Sequence, residues 1–262
     1  MPDDDHHGGI RGEPHPERKN RENRDAESRN RADTREPYGY QEWPALKIYM
    51  GAFHDTIISM NAAYPRKLQI VVLAAGFSSR LGQPKALGRV HGLSLLRRTL
   101  KAASGCGADR IIVVVPRNAA RYRVEARGIK VLWAVNAQRA RGLSSSVRRG
   151  IAAACYASAI LLLPADLLHL KNRDLFRLMR RWQSAPRRLA ARRIDRTGAA
   201  PVILPRWLYP RASRLVGDVG LRELIGQLPA DSRTLVEMPS AAWDVDTPQD
   251  LKDARRRFRP SA

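Results

Sequence analysis

Cysteine is almost missing from this chain. Two occur in 262 residues, Cys106 and Cys155, and no C-x-x-C or similar ligand spacing joins them. Two thiols cannot build a disulfide framework, and the count argues against a metal held by Cys and His. Reduced thiols in a cytoplasmic protein are the simple expectation. Aromatics are also scarce, at 6%, and none is interleaved with the basic pairs Arg97-Arg98, Arg148-Arg149, Arg180-Arg181 and Arg187-Arg188. The net charge of +22 therefore reads as arginines spread over solvated helix faces, and nucleic acid is not the expected partner. No apolar run approaches the ~20 residues of a membrane helix. The longest, "ASAILLLPADLLHL", is interrupted by Pro164, Asp166 and His169, so no membrane association is expected.

Aliphatic residues are nearly absent from the first 45 positions, which hold 11 acidic and 8 basic residues. Such a segment cannot bury enough apolar area to offset chain entropy, so a disordered polar tail is expected over residues 1–65. It lacks the positively charged start and apolar core of a secretory signal. Residues 46–66 read either as a short helix or as part of an overlong start, with Met50 and Met60 as alternative initiators. Residues 46–262 hold 39 basic and 14 acidic residues, so the positive charge belongs to the folded part.

From Leu68 the pattern turns regular. "LQIVVLA", "RIIVVVP", "KVLWAV" and "AILLLP" are continuous apolar runs, the mark of strands buried on both faces. Between them "LSLLRRTLKAA", "SSSVRRGIAAACY" and "NRDLFRLMRRWQ" carry helical spacing. Ser144 or Ser145 is expected to cap the second of these helices and Asn172 the third. Shorter strands are expected at "RLAARRI", "PVILP" and "RTLVEM", and a last helix at "DTPQDLKDARRRF", where Thr247, Pro248 and Asp250 form a start signal. The alternation argues an α/β domain over residues 66–258: one three-layer, mostly parallel twisted sheet with helices on both faces. Ligands in such folds sit beyond the carboxyl ends of the strands, where the strand order reverses.

At the first of those ends stands "VVLAAGFSSRLGQPKALG", Val71 to Gly88. Small residues let the backbone approach a ligand. Gly76 and Gly82 can take positive φ and turn N–H groups inward to cradle an anion. Arg80 and Lys85 add charge-assisted bonds to phosphate oxygens. Neither G-x-x-x-x-G-K-[ST] nor G-x-G-x-x-G is present.

From Leu73 through Ala74, Ala75, Gly76, Ser78, Arg80 and Gly82 to Lys85 the chain matches L-A-A-G-x-S-x-R-x-G-x-x-K without a gap. It thereby resembles the MobA-like NTP transferases of molybdenum-cofactor synthesis, and "LGQPKALG" is most similar to their cytidylyltransferase branch. The resemblance implies a nucleotide-diphospho-sugar transferase-like fold and a Mg²⁺-dependent nucleotidyltransferase. CTP is the favoured donor, and the acceptor a phosphorylated molecule such as molybdopterin. A molybdoenzyme or its maturation factor is the implied protein partner.

Carried over residue by residue, it makes Asp166, after "AILLLPA", a catalytic metal ligand, with Asp246 of "WDVDTPQDL" as the second. Mg²⁺ suits such a site, since it prefers one or two carboxylates completed by phosphate oxygens and water. In "NAQRARGLSSSVRRGI" the resemblance assigns Asn136, Ser144 and Ser146 to the nucleotide, with Ser146 meeting the base. In "GDVGLREL" it assigns Asp218 and Arg222 to the acceptor side. The branch's Gln-Pro after Asp166 is replaced by "LLHL", and its Gly-His-Pro by Ala199-Ala200-Pro201. These departures fall on the acceptor half, so a sugar phosphate or other small phosphate stands beside molybdopterin. A non-catalytic nucleic-acid-binding or cofactor-chaperone protein on the same fold stands as the reading from another class. An acceptor phosphate is already ionised and needs no general base, so His169 is expected to be a surface residue.

Overall fold

A computed structural model describes residues 67–257, apart from 77–81, 155, 196, 219–220, 242–244 and 246. The expected polar tail lies outside the described residues. Nine strands are found among them: β1 (Leu68–Leu73), β2 (Arg89–Val90), β3 (Leu93–Ser94), β4 (Arg110–Val115), β5 (Leu132–Val135), β6 (Ala159–Pro164), β7 (Leu189–Ile194), β8 (Thr197–Pro205) and β9 (Arg233–Val236). The helices are α1 (Leu95–Ser104), α2 (Ala120–Glu125), α3 (Leu143–Ala153), α4 (Asn172–Ser184), α5 (Tyr209–Ser213), α6 (Leu221–Gly226) and α7 (Pro248–Arg257). Seven strands make one sheet in the order β5-β4-β1-β6-β8-β7-β9, and β2 and β3 form a separate hairpin.

β1 pairs in parallel with both β4 and β6, β4 with β5, and β7 with β9. β8 runs antiparallel to both its neighbours. The chain steps outward from β1 through β4 to β5, then crosses back to β6 on the other side of β1. The strand order therefore reverses at β1, and the carboxyl ends of β1 and β6 form the crevice where ligands bind in such sheets.

The apolar runs are continuous because alternate side chains enter two cores. Ile70, Val72, Val113, Leu161 and Leu163 pack with α1, α2 and α4 through Leu96, Leu100, Tyr122, Leu175, Leu178 and Trp182. Val71, Ile112, Val114, Ile160 and Leu162 pack on the opposite face with α3, α5 and α6 through Val147, Ile151, Ala212, Leu224 and Ile225. Truncating Leu161 or Leu162, both fully buried, to Ala is expected to cost about 2–5 kcal/mol. Gly150 lets α3 lie close on this sheet, since a Cβ there would come within 2.5 Å of Val71 Cγ1.

The helix ends depart from expectation in two places. Asn172 is the first residue of α4 and Lys171 its cap, without a side-chain bond. α3 is capped by Gly142, and neither Ser144 nor Ser145 takes that position. The last helix begins as expected: Thr247 N donates to Asp250 Oδ2 (2.8 Å) and Asp250 N to Thr247 Oγ1 (3.1 Å), a reciprocal capping box. The β2–β3 hairpin after Lys85 has no counterpart among the elements expected from the sequence. Its turn, His91-Gly92, takes positive φ at both residues (48° and 76°), the geometry that matches strand twist in two-residue hairpins.

Candidate active site

A cavity of ≈ 480 Å³ opens at the carboxyl ends of β1 and β6. Beyond the strands, Ala165 N donates to Leu73 O (3.1 Å), which extends the pairing by one residue and delivers Asp166 beside the end of β1. Lys85 stands on a 3-10 turn, Lys85–Leu87, whose Ala86 and Leu87 are buried and hold the lysine toward the cavity. Lys85 Nζ lies 3.6 Å from Asp166 Oδ2, and both side chains are about three-quarters buried (22% and 25% exposed). The pair spans the mouth of the crevice.

Leu73, Ala74 and Gly76 line the same cavity. Ala74 N is occupied by Val114 O (2.9 Å), so inward-facing donors can start only at Ala75, which is fully buried. Gly82 has the expected positive φ of 66°, whereas Gly76 does not. A Cβ on Gly76 would meet nothing within 4 Å. No neighbour among the described residues demands a glycine there, and its missing side chain leaves the backbone open to close approach from the cavity. Ser78 and Arg80 lie outside the described residues.

On the opposite wall α3 presents Leu143, Ser146 and Val147. Asn136, after β5 and 4% exposed, donates from Nδ2 to Ser145 Oγ (2.9 Å) and Ser146 Oγ (3.0 Å), while its Oδ1 accepts from Gln138 N (2.9 Å). Its polar atoms are thus engaged in orienting the serine run. Ser145 passes its proton to Gly142 O (2.8 Å). The Ser146 hydroxyl proton has no acceptor among the described residues and belongs to a cavity-lining side chain. Ser144 is fully buried and outside the lining, with its N–H on Gly217 O (3.1 Å).

Asp218 does not line the cavity. Its Oδ1 accepts from Leu143 N (3.1 Å) and so caps α3 across 75 residues of sequence. Gly142, with φ 82°, faces the carbonyl of Gly217, which a Cβ would meet at 2.5 Å. The loop at 217–218 therefore closes the N-terminus of α3 with its own acceptors. Arg222, on α6, does line the cavity, together with Ala199, Ala200 and Leu221. So does Arg192 of β7, a residue the sequence reading passed over as one more arginine in a basic chain.

Asp246 lies outside the described residues. The adjoining Val245 is buried in a small cluster with Val90, Leu95, Leu168, Leu251 and Ala254, so the chain just before Asp246 packs against the turn that carries Asp166. The preceding segment is latched by Asp174, 1% exposed, whose Oδ2 accepts from Ser240 N (3.0 Å) and Ser240 Oγ (2.6 Å). His169 is half-buried, contrary to the expected surface position. Burial, with help from Arg98 and Lys171, holds its imidazole below the ordinary range. Cys106 is buried, and burial pushes its thiol up to about 11.

A model of the MobA-like NTP transferase domain matches residues 70–232, spanning β1 to the edge of β9. The chain belongs to the MobA-like NTP transferase family. It is 28% identical over 205 residues to a probable molybdenum cofactor guanylyltransferase of Rhodopirellula baltica, covering 75% of this chain and 96% of that one. A bifunctional IPC transferase and DIPP synthase of Rubrobacter xylanophilus is 42% identical over 82 residues, 29% of this chain. The match spans only 19% of that relative's length. Among solved structures, Rv0371c of Mycobacterium tuberculosis H37Rv superposes with a TM-score of 0.59 at 26% identity, covering 73% of this chain and all of that one. The same mycobacterial protein has been solved in complex with manganese (TM-score 0.58, 24% identity, 73% and 100% covered). As a MobA-like NTP transferase the protein is a nucleotidyltransferase. No helix among the described residues is long and apolar enough to cross a membrane.

Proposed function

We propose that this protein transfers a cytidylyl group from CTP to the phosphate of a small acceptor, releasing pyrophosphate. The observation that carries the reading is the Lys85–Asp166 pair at the mouth of a cavity whose floor is the Leu73–Gly76 loop. An oxygen of the acceptor phosphate attacks the α-phosphorus in line. The bond to the β-phosphate bridging oxygen breaks, and that electron pair leaves with pyrophosphate. Lys85, Arg80, Ser78 and the N–H groups from Ala75 to Gly82 hold the triphosphate, so catalysis is chiefly positioning and charge neutralisation.

Mg²⁺ fits the donors present. Asp166 is a partly exposed carboxylate in the cavity, and this ion commonly takes one or two carboxylates and completes its shell with phosphate oxygens and water. Asp246 is the proposed second ligand, supported by the packing of Val245 beside Leu168. When bound, the cation would neutralise charge on the phosphates. The manganese complex of the mycobacterial neighbour is consistent with a divalent cation.

Ser146, turned into the cavity by Asn136, is assigned to the base, with cytosine favoured by the serine run. The named guanylyltransferase relative makes GTP the rival donor. Molybdopterin is the acceptor that this relative suggests. The small Ala199 and Ala200 wall leaves room for a sugar phosphate as well. Pyrophosphate release with CTP, GTP, ATP and UTP against molybdopterin and a panel of sugar phosphates decides among them. Release with CTP and one acceptor, lost in Lys85→Ala, is expected. No release with any pair, or release with GTP alone, overturns the cytidylyl reading.

A further inference from the structure

β7 ends on two successive arginines with opposite fates. Arg193 points outward, and its Nε pairs with Glu237 Oε1 at 2.9 Å. Arg192 is 8% exposed, lines the active-site cavity, and has no hydrogen-bond partner at Nε or Nη1 among the described residues. A guanidinium cannot escape by losing its proton, and a buried charge without a partner is costly. Successive strand residues point to opposite faces, and the β7–β9 register runs unbroken through Arg192, so Arg192 and Arg193 diverge. The irregularity in the β7–β8 pairing falls on β8 at Ala200 and Pro201, and Arg192 lies opposite the small Ala199, which leaves space in front of it.

We propose that Arg192 is the anchor for the acceptor, holding its phosphate by charge-assisted, two-pronged hydrogen bonds of the kind an arginine fork makes. The inference rests on the proposed function and adds the residue that binds the acceptor phosphate. The acceptor's uncharged part lies against Ala199, Ala200 and Leu221, and Arg222 supplies a second cation at the exposed rim.

The test uses inorganic phosphate as probe on the full chain, by calorimetric titration at constant ionic strength. Wild type, Arg192→Met, Arg192→Lys and Lys85→Ala are compared. Phosphate affinity is expected to fall at least about tenfold in Arg192→Met, to be partly restored in Arg192→Lys, and to persist at that site in Lys85→Ala. Affinity for CTP with Mg²⁺ is expected to be the same in wild type and Arg192→Met. The Tm of ligand-free Arg192→Met is expected to equal or exceed that of wild type, because an uncompensated buried charge has been removed.

Equal phosphate affinity in wild type and Arg192→Met overturns the proposal. Loss of CTP binding in Arg192→Met also overturns it, since the residue would then serve the donor. A lowered Tm overturns it too, by marking Arg192 as structural. Failure of wild type to bind CTP counts against the proposed function alone, because the phosphate titration still reads Arg192.

Discussion

Lys85 Nζ and Asp166 Oδ2 approach to 3.6 Å across the crevice at which the strand order reverses. One comes from the turn after the Gly-containing loop and the other from the end of β6, 81 residues later in the chain. Under the proposed function, their proximity puts a cation and a carboxylate beside the triphosphate and its counter-ion. A partly exposed pair of this kind contributes less than about 1 kcal/mol to stability. Asp166→Ala is therefore expected to lower pyrophosphate release by at least about a hundredfold while leaving the urea midpoint nearly unchanged. A large stability loss with activity retained in the folded fraction would show the pair to be structural.

Asp218 is expected to matter through α3. Asp218→Ala removes the acceptor for Leu143 N and should cost about 1 kcal/mol, with most of it recovered in Asp218→Asn. Urea unfolding reads this directly. An unchanged midpoint together with a raised acceptor KM would return Asp218 to the acceptor side.

Gly142 offers the sharper probe of the same junction. Its φ of 82° and ψ of −174° are essentially restricted to glycine, and a Cβ would collide with the Gly217 carbonyl. Gly142→Ala should destabilise by at least about 2 kcal/mol and weaken CTP binding, because Ser146 sits one turn along the displaced helix. A variant with wild-type stability and CTP affinity would remove the junction from the argument.

The Asp174–Ser240 latch gives a fourth expectation. Ser240→Ala leaves a nearly fully buried carboxylate one bond short, and it also takes the acceptor from Lys171 N (3.1 Å). A cost of about 2 kcal/mol is expected. Since the latch precedes the chain leading to Asp246, the concentration of Mg²⁺ needed for half-maximal activity should rise as well. Unchanged stability and Mg²⁺ dependence would count against the latch.

His169 supplies a pH dependence. Its ordinary value is 6.5, and burial lowers it in the folded chain. Above 6.5 the imidazole is neutral in both states and its contribution is fully present. As pH falls below 6.5 the unfolded chain takes up a proton first, so stability is lost down to the folded value. The stability difference between wild type and His169→Gln should therefore shrink from pH 7.5 to pH 5.5. A difference independent of pH would mean that His169 titrates as it does in the unfolded chain.

The sequence by itself determined the seven sheet strands and the family. Continuous apolar runs leave no polar face to expose, so they must be covered by helices on both sides. A long ungapped match of small and basic residues marks the MobA-like NTP transferase family without any coordinate. Thr247 and Asp250 capped α7 as local chemistry dictates, because both partners of that box lie within one turn. Only the tertiary structure decided what depends on residues far apart in the chain. It put Asp218 on the end of α3, bonded Asn136 to Ser145 and Ser146, and buried Ser144 with its N–H on Gly217 O. It also separated Arg192 from the other arginines. In the sequence Arg192 and Arg193 are equivalent letters. Alternation along β7 puts them on opposite faces, and the packing of the sheet gives the first a cavity, where its Nε and Nη1 have no partner among the described residues, and leaves the second outside beside Glu237.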